Sequence, residues 1–72
     1  MVKENLGELL SRLMLEKNLT VQDLSELTHI SRVELNYIII NKVKKPSVNT
    51  IYKLSKALDY DYMKLYDASL IV

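Results

Sequence analysis

At 72 residues without a cysteine, the chain is one small domain whose thin core has neither disulfides nor thiolate-held metal to staple it. Nearly half of it is hydrophobic (49%), with one glycine and one proline, which favours short helices joined by short turns and an all-α fold. Net charge is only +1, no apolar run nears the ~20 residues that span a bilayer, and the opening Met-Val-Lys-Glu-Asn lacks the apolar stretch of a signal peptide, so the expected setting is cytoplasmic, with no membrane partner.

The first helix is expected over 5–17, where Leu6, Leu10, Leu13 and Met14 form a helical stripe, with Leu9 and Leu15 off it. Asn18 can close it in a left-handed conformation. Thr20 is a good N-cap for a second helix over 21–28, with Asp23 in its first turn and Leu24 buried. Thr28, His29 and Ile30 form a tight connection. Ser31 caps a third helix reaching residue 40, Ser31-x-x-Glu34 has the form of a capping box, and Asn41 suits the position just past the end. "KVKKPS" is a basic loop in which Pro46 forbids a helix through Lys45. Ser47 caps a fourth helix over 48–58, with the stripe Val48, Ile51, Leu54 and Leu58. Asp61 caps a last short helix holding Met63, Leu65 and Tyr66, and the chain ends on the apolar tail Ser69-Leu70-Ile71-Val72. The expectation is a single domain, 1–72, with its core over about 5–67 and the tail over 68–72.

Charge is unevenly spread. Residues 1–28 and 57–72 are net acidic, whereas 29–56 carry Arg32, Lys42, Lys44, Lys45, Lys53 and Lys56 against Glu34 alone. Clustered positive charge is the footprint of a phosphate-binding surface, or else a lysine-rich solvated face. Two short helices joined by a tight turn, the second opened by serine, form a helix-turn-helix pattern. Leu6-Gly7, Leu19-Thr20, Leu24-Ser25-Glu26, Ile30-Ser31-Arg32, Pro46-Ser47 and "IYKLSKALDYDYMKLY" follow in order. From Leu6 to Tyr66 the chain resembles the lambda-repressor/Cro-like (xenobiotic-response-element) helix-turn-helix family. The resemblance implies a compact bundle of five short helices, usually a homodimer, that binds operator DNA and regulates transcription.

A recognition helix needs its first turn free to reach base edges in the major groove. At about 100° per residue, Leu35, Ile38 and Ile39 share one arc toward the core, while Val33, Asn36, Tyr37 and Ile40 point away. By position, Ser31, Arg32, Val33, Asn36 and Tyr37 fall where the family reads bases. Arg32 suits guanine, Asn36 adenine, and Val33 or Tyr37 a thymine methyl. The alternatives are a surface salt bridge to Glu34 or a neighbour for Arg32 and a protein interface for Tyr37. Lys42, Lys44, Lys45, Asn49 and Lys53 are candidates for phosphate contacts, helped by backbone N–H groups at the fourth helix's start, unless the lysines form a free loop.

The pattern breaks in places. The family usually has a phosphate-bonding Gln at the start of the second helix; Val21 stands there, leaving Gln22 as the substitute. His29 replaces the turn glycine, and no second ligand stands near it, so no metal site is expected. Ile39 and Met14 occupy positions where the family pairs Glu with Arg. Both have become apolar, a double change that is often neutral or stabilising, so the two are expected to touch. Tyr62, Tyr66, Leu70, Ile71 and Val72 form the expected homodimer contact. No cysteine, one histidine and no glycine-rich phosphate loop leave no visible nucleophile–base pair or nucleotide cradle, so neither an enzyme nor a cofactor is expected. The expected function is a sequence-specific transcriptional regulator, a dimeric repressor with no evident small-molecule effector. The alternative is a protein-interaction module on the same fold, such as an antirepressor, favoured by Val21 and the apolar ridge Val33–Tyr37–Ile40.

Overall fold

The computed structural model describes residues 4–43 and 46–71, in which five α-helices follow one another: α1 (Leu6–Glu16), α2 (Val21–Thr28), α3 (Arg32–Ile39), α4 (Val48–Leu58) and α5 (Tyr62–Ser69). No strand occurs among the described residues, and the fold is all-α. The expectations placed on Lys44, Lys45 and Val72 lie outside the described residues.

Each helix opens on a side chain that accepts a backbone hydrogen bond. Asn5 and Thr20 form full capping boxes: Thr20 Oγ1 accepts from the Asp23 N–H at 3.0 Å, and Asp23 Oδ2 accepts from the Thr20 N–H at 3.0 Å. The box expected at Ser31 is only half formed. Ser31 Oγ accepts from the Glu34 N–H at 3.1 Å, but Glu34 turns toward α4, where the Thr50 hydroxyl lies 3.5 Å from its Oε2. Ser47 and Asp61 cap α4 and α5. Left-handed residues follow the first four helices: Asn18, His29, Asn41 and Asp59, with φ of 56°, 62°, 62° and 50°. After α3, the Lys42 N–H donates to the Tyr37 carbonyl at 2.7 Å and the Asn41 N–H to that of Ile38 at 3.0 Å, the paired bonds of a Schellman turn.

One core joins all five helices, with Leu10, Leu24, Leu35, Ile38, Ile51, Leu54, Leu58 and Leu65 at its centre. Helix α1 packs on both α3 and α5, and α2 on both α3 and α4. Two expectations need correction. Leu9, placed off the α1 stripe, is buried, because a helix flanked on two sides hides a wider arc than a single stripe. Val48, placed on the α4 stripe, is 62% exposed. It sits at the edge of the buried arc, on the first turn, where Tyr62 stands across an open groove without burying it. Met14 is buried and Ile39 packs against the same apolar cluster. Helix α5 continues through buried Ala68 and Ser69, beyond the expected core limit near 67.

Candidate nucleic-acid interface

The α2–α3 connection is held by its own side chains. The Thr28 hydroxyl donates to the Leu24 carbonyl at 2.7 Å and accepts from the Ile30 N–H at 3.2 Å, while the His29 N–H reaches the Ser25 carbonyl at 2.8 Å. This bonding fixes His29 in its left-handed conformation, and Ile30 anchors the turn in the core. At the start of α2, the Thr20 N–H and then its hydroxyl hold the Asp23 carboxyl below its usual range. The helix pair is therefore tied at its entry and at its turn.

From this frame α3 presents its outer face. Leu35 and Ile38 are buried and Ile39 half-buried, while Ser31, Arg32, Val33, Asn36 and Tyr37 are all exposed. The sequence-predicted base-reading set thus lies together along one helix. Among the described residues the ion pairs are Arg12 with Glu4 and Arg12 with Glu16. The expected alternative for Arg32, a salt bridge to Glu34 or a neighbour, does not form among the described residues, and Arg32 is exposed. Ser31 accepts a bond through its oxygen, which leaves its hydroxyl hydrogen available. Val33, Tyr37 and Ile40 make an exposed apolar ridge beside these polar groups.

The expected phosphate set is more dispersed. Lys42 is exposed just past α3, and Asn49 and half-buried Lys53 lie one turn apart on α4. Gln22 is exposed, but its amide lies 3.4 Å from Glu26 Oε1. Val21 is half-buried against the core, so valine there serves packing. Glu34, which sequence reasoning treated as a cap or as a partner for Arg32, reaches from α3 to Thr50 at the opening of α4 and links the two surfaces. No local pattern signals a contact across that separation. A family model of the Cro/C1-type HTH DNA-binding domain matches residues 9–64.

The chain belongs to this family. Its helices α2 and α3 are the helix-turn-helix of a Cro/C1-type DNA-binding domain, and the match spans α2, α3 and α4 whole. No curated protein and no solved structure matches the chain.

The expected dimer residues of this Cro/C1-type domain divide between two surfaces. Tyr62 faces α4, where it lines an apolar groove with Val48, Asn49 and Tyr52, and Tyr66 stacks on it at 6.2 Å between ring centroids. Leu70 and Ile71 instead border a groove between α1 and α5 with Leu9, Arg12 and Lys64. Sequence reasoning did not group Val48 and Tyr52 with Tyr62, and put Val48 on the core stripe instead. Among the described residues no group of acidic or histidine side chains could hold a metal ion, and no helix is long and apolar enough to cross a membrane.

Proposed function

We propose that this domain is a sequence-specific transcriptional regulator that acts as a dimeric repressor, laying α3 in the major groove of its operator. The observation that carries this reading is the open face of α3, with Arg32 exposed and in no ion pair among the described residues, and with Asn36 exposed, on a helix fixed by a bonded turn. Arg32 pairs with the O6 and N7 of a guanine, and Asn36 with the N6 and N7 of an adenine. Val33 and Tyr37 pack against thymine methyl groups, and Ser31 donates at the helix start. Lys42, Lys44, Lys45, Asn49, Lys53 and Gln22 hold phosphates and set the register of the helix on the duplex. Repression follows from occupancy, since a protein seated on the operator excludes other proteins from it.

The test is binding to duplex DNA across a salt series. Affinity is expected to fall steeply, with a log–log slope of about −0.9 per phosphate contacted. Selection from random sequence should then enrich one two-fold site, and Arg32→Ala should relax the preference at one position in each half. No detectable binding at low salt would overturn the reading.

A second reading has its own support in the ridge Val33–Tyr37–Ile40 and in Val21, where the resemblance calls for Gln. On that reading the α3 face docks a protein, as an antirepressor would. Tyr37→Ala separates the two: it weakens protein capture without changing the salt slope, whereas loss of a lysine changes the slope.

A further inference from the structure

The first turns of α3 and α4 are completed differently from those of α1 and α2. In the earlier pair, the acid three residues past the cap turns back. Glu8 Oε1 accepts from the Asn5 N–H at 3.0 Å, and Asp23 Oδ2 from the Thr20 N–H at 3.0 Å. Helix α3 has Glu34 at that position, and α4 has Thr50. Glu34 does not turn back. Its Oε2 lies 3.5 Å from the Thr50 hydroxyl, so the same positions of two helix starts face each other. The first turn of α4 has no acid of its own, and a carboxylate beside it suits the positive end of the helix dipole. Glu34 is also the one acid in the basic stretch 29–56.

The Thr50 end of this link is anchored. Thr50 is buried, and its Oγ1 lies 3.0 Å from the Oγ of Ser47, the cap of α4. With the Thr50 hydrogen given to Glu34, the Ser47 hydroxyl donates to Thr50, while Ser47 Oγ accepts from the Thr50 N–H at 3.1 Å. The caps of both helices run to backbone N–H groups, so neither needs the Glu34 or Thr50 side chain. The link can be cut with both caps left in place.

We infer that Glu34 is a positioning residue. Through the Thr50 hydroxyl it holds the base-reading face of α3 in register with the phosphate-holding start of α4, and so sets how sharply the domain separates its operator from other DNA. The role rests on the DNA reading of the two helices. Phosphate contacts at Asn49 and Lys53 fix register, whereas base contacts at Arg32 and Asn36 carry sequence. Register fixed on one helix serves the other only while the two keep their relation, to within about 0.5 Å for a binding constellation. Helix α2 packs on both, and among the described residues Glu34–Thr50 is the hydrogen bond that joins α3 to α4 directly. It is longer than the usual hydroxyl bond of about 2.8 Å, so it orients α3 more than it stabilises the fold.

The test compares affinity for a duplex selected from random sequence with affinity for random duplex. Thr50→Val and Glu34→Ala are each expected to lower that ratio about tenfold, the discrimination of roughly one base pair. The double variant should lose no more than either alone. Removing the Glu34 charge acts on both duplexes alike, so the ratio isolates position. Thr50→Ser and Glu34→Gln keep a donor and an acceptor and should retain the wild-type ratio. A merely structural role would lower the thermal midpoint and leave the ratio alone. An unchanged ratio in Thr50→Val overturns the inference, as does an equal fall in Glu34→Gln and Glu34→Ala, which would assign the effect to charge. In the free chain, Thr50→Val should move NMR amide signals over 31–37, and Glu34→Ala those over 47–53; shifts confined to the substituted helix overturn the link itself. Salt-steep binding with an unchanged ratio sinks only this role, whereas a wild type that binds no duplex at low salt sinks the DNA reading and this role with it.

Discussion

Gly7 holds the only glycine position, and it is where α1 meets the end of α3. A Cβ built there would stand 2.7 Å from the Ile38 carbonyl oxygen and closer still to that of Ile39. Both are backbone atoms at the closing turn of a helix, so neither can swing aside as a side chain would. Gly7→Ala is therefore expected to push the two helices apart and to destabilise the domain by about 3 kcal/mol, the upper end for overpacking, in urea unfolding. A loss under about 0.5 kcal/mol would show that the close approach is not tight. His29 presents the opposite case. Its φ of 62° is one that glycine adopts freely, and its N–H bond does not need a side chain. Relief of the left-handed strain should outweigh the extra chain entropy of glycine, so His29→Gly is expected to stabilise by about 0.5–1 kcal/mol. Thermal melts that move downward would mean the imidazole contributes contacts of its own.

At the level of elements, the start of α2 carries a pH signature. The Thr20 N–H bond depresses the folded Asp23 pKa below its ordinary value of 3.8. A depressed carboxylate contributes stability that is present above the unfolded pKa and is lost as pH falls through the folded one. Asp23→Asn should accordingly melt below the wild type at neutral pH, and the gap should close as pH drops below about 3.8. An equal gap at every pH would assign the difference to shape, not charge. Such caps were readable in the sequence because they are local: Thr20, Ser31, Ser47 and Asp61 each lie within three residues of the group they bond. Helix spans followed from them. What escaped was non-local. Leu9 is buried because α5 returns beside α1, whereas Val48 stays exposed because α5 reaches it only through Tyr62 across an open groove. Glu34 left its own cap for a hydroxyl sixteen positions away. The outward set on α3 was legible from helical period alone. The grouping of Tyr62 with Val48 and of Leu70 with Leu9 was not, because it depends on which neighbours flank α5.

For the whole molecule, charge placement links DNA contact to stoichiometry. Lys42 and Lys53 belong to the net-basic stretch 29–56, while Lys64 sits in the α1–α5 groove near Asp67. Counterion release depends on the number of phosphates neutralised per bound complex, not per chain. Replacing one phosphate-contacting lysine in a protomer that binds alone lowers the magnitude of the salt slope by about 0.9. In a two-fold dimer the same substitution removes two contacts, and the slope falls by about 1.8. Lys42→Ala is expected to give the larger change, and Lys64→Ala none. Titrating a fluorescent duplex with each variant between low and moderate salt supplies both slopes. A fall of about 0.9 for Lys42→Ala would place one protomer on each site. Equal slopes for Lys42→Ala and Lys64→Ala would remove Lys42 from the phosphate surface, since only a cation that displaces counterions from the duplex can change the exponent.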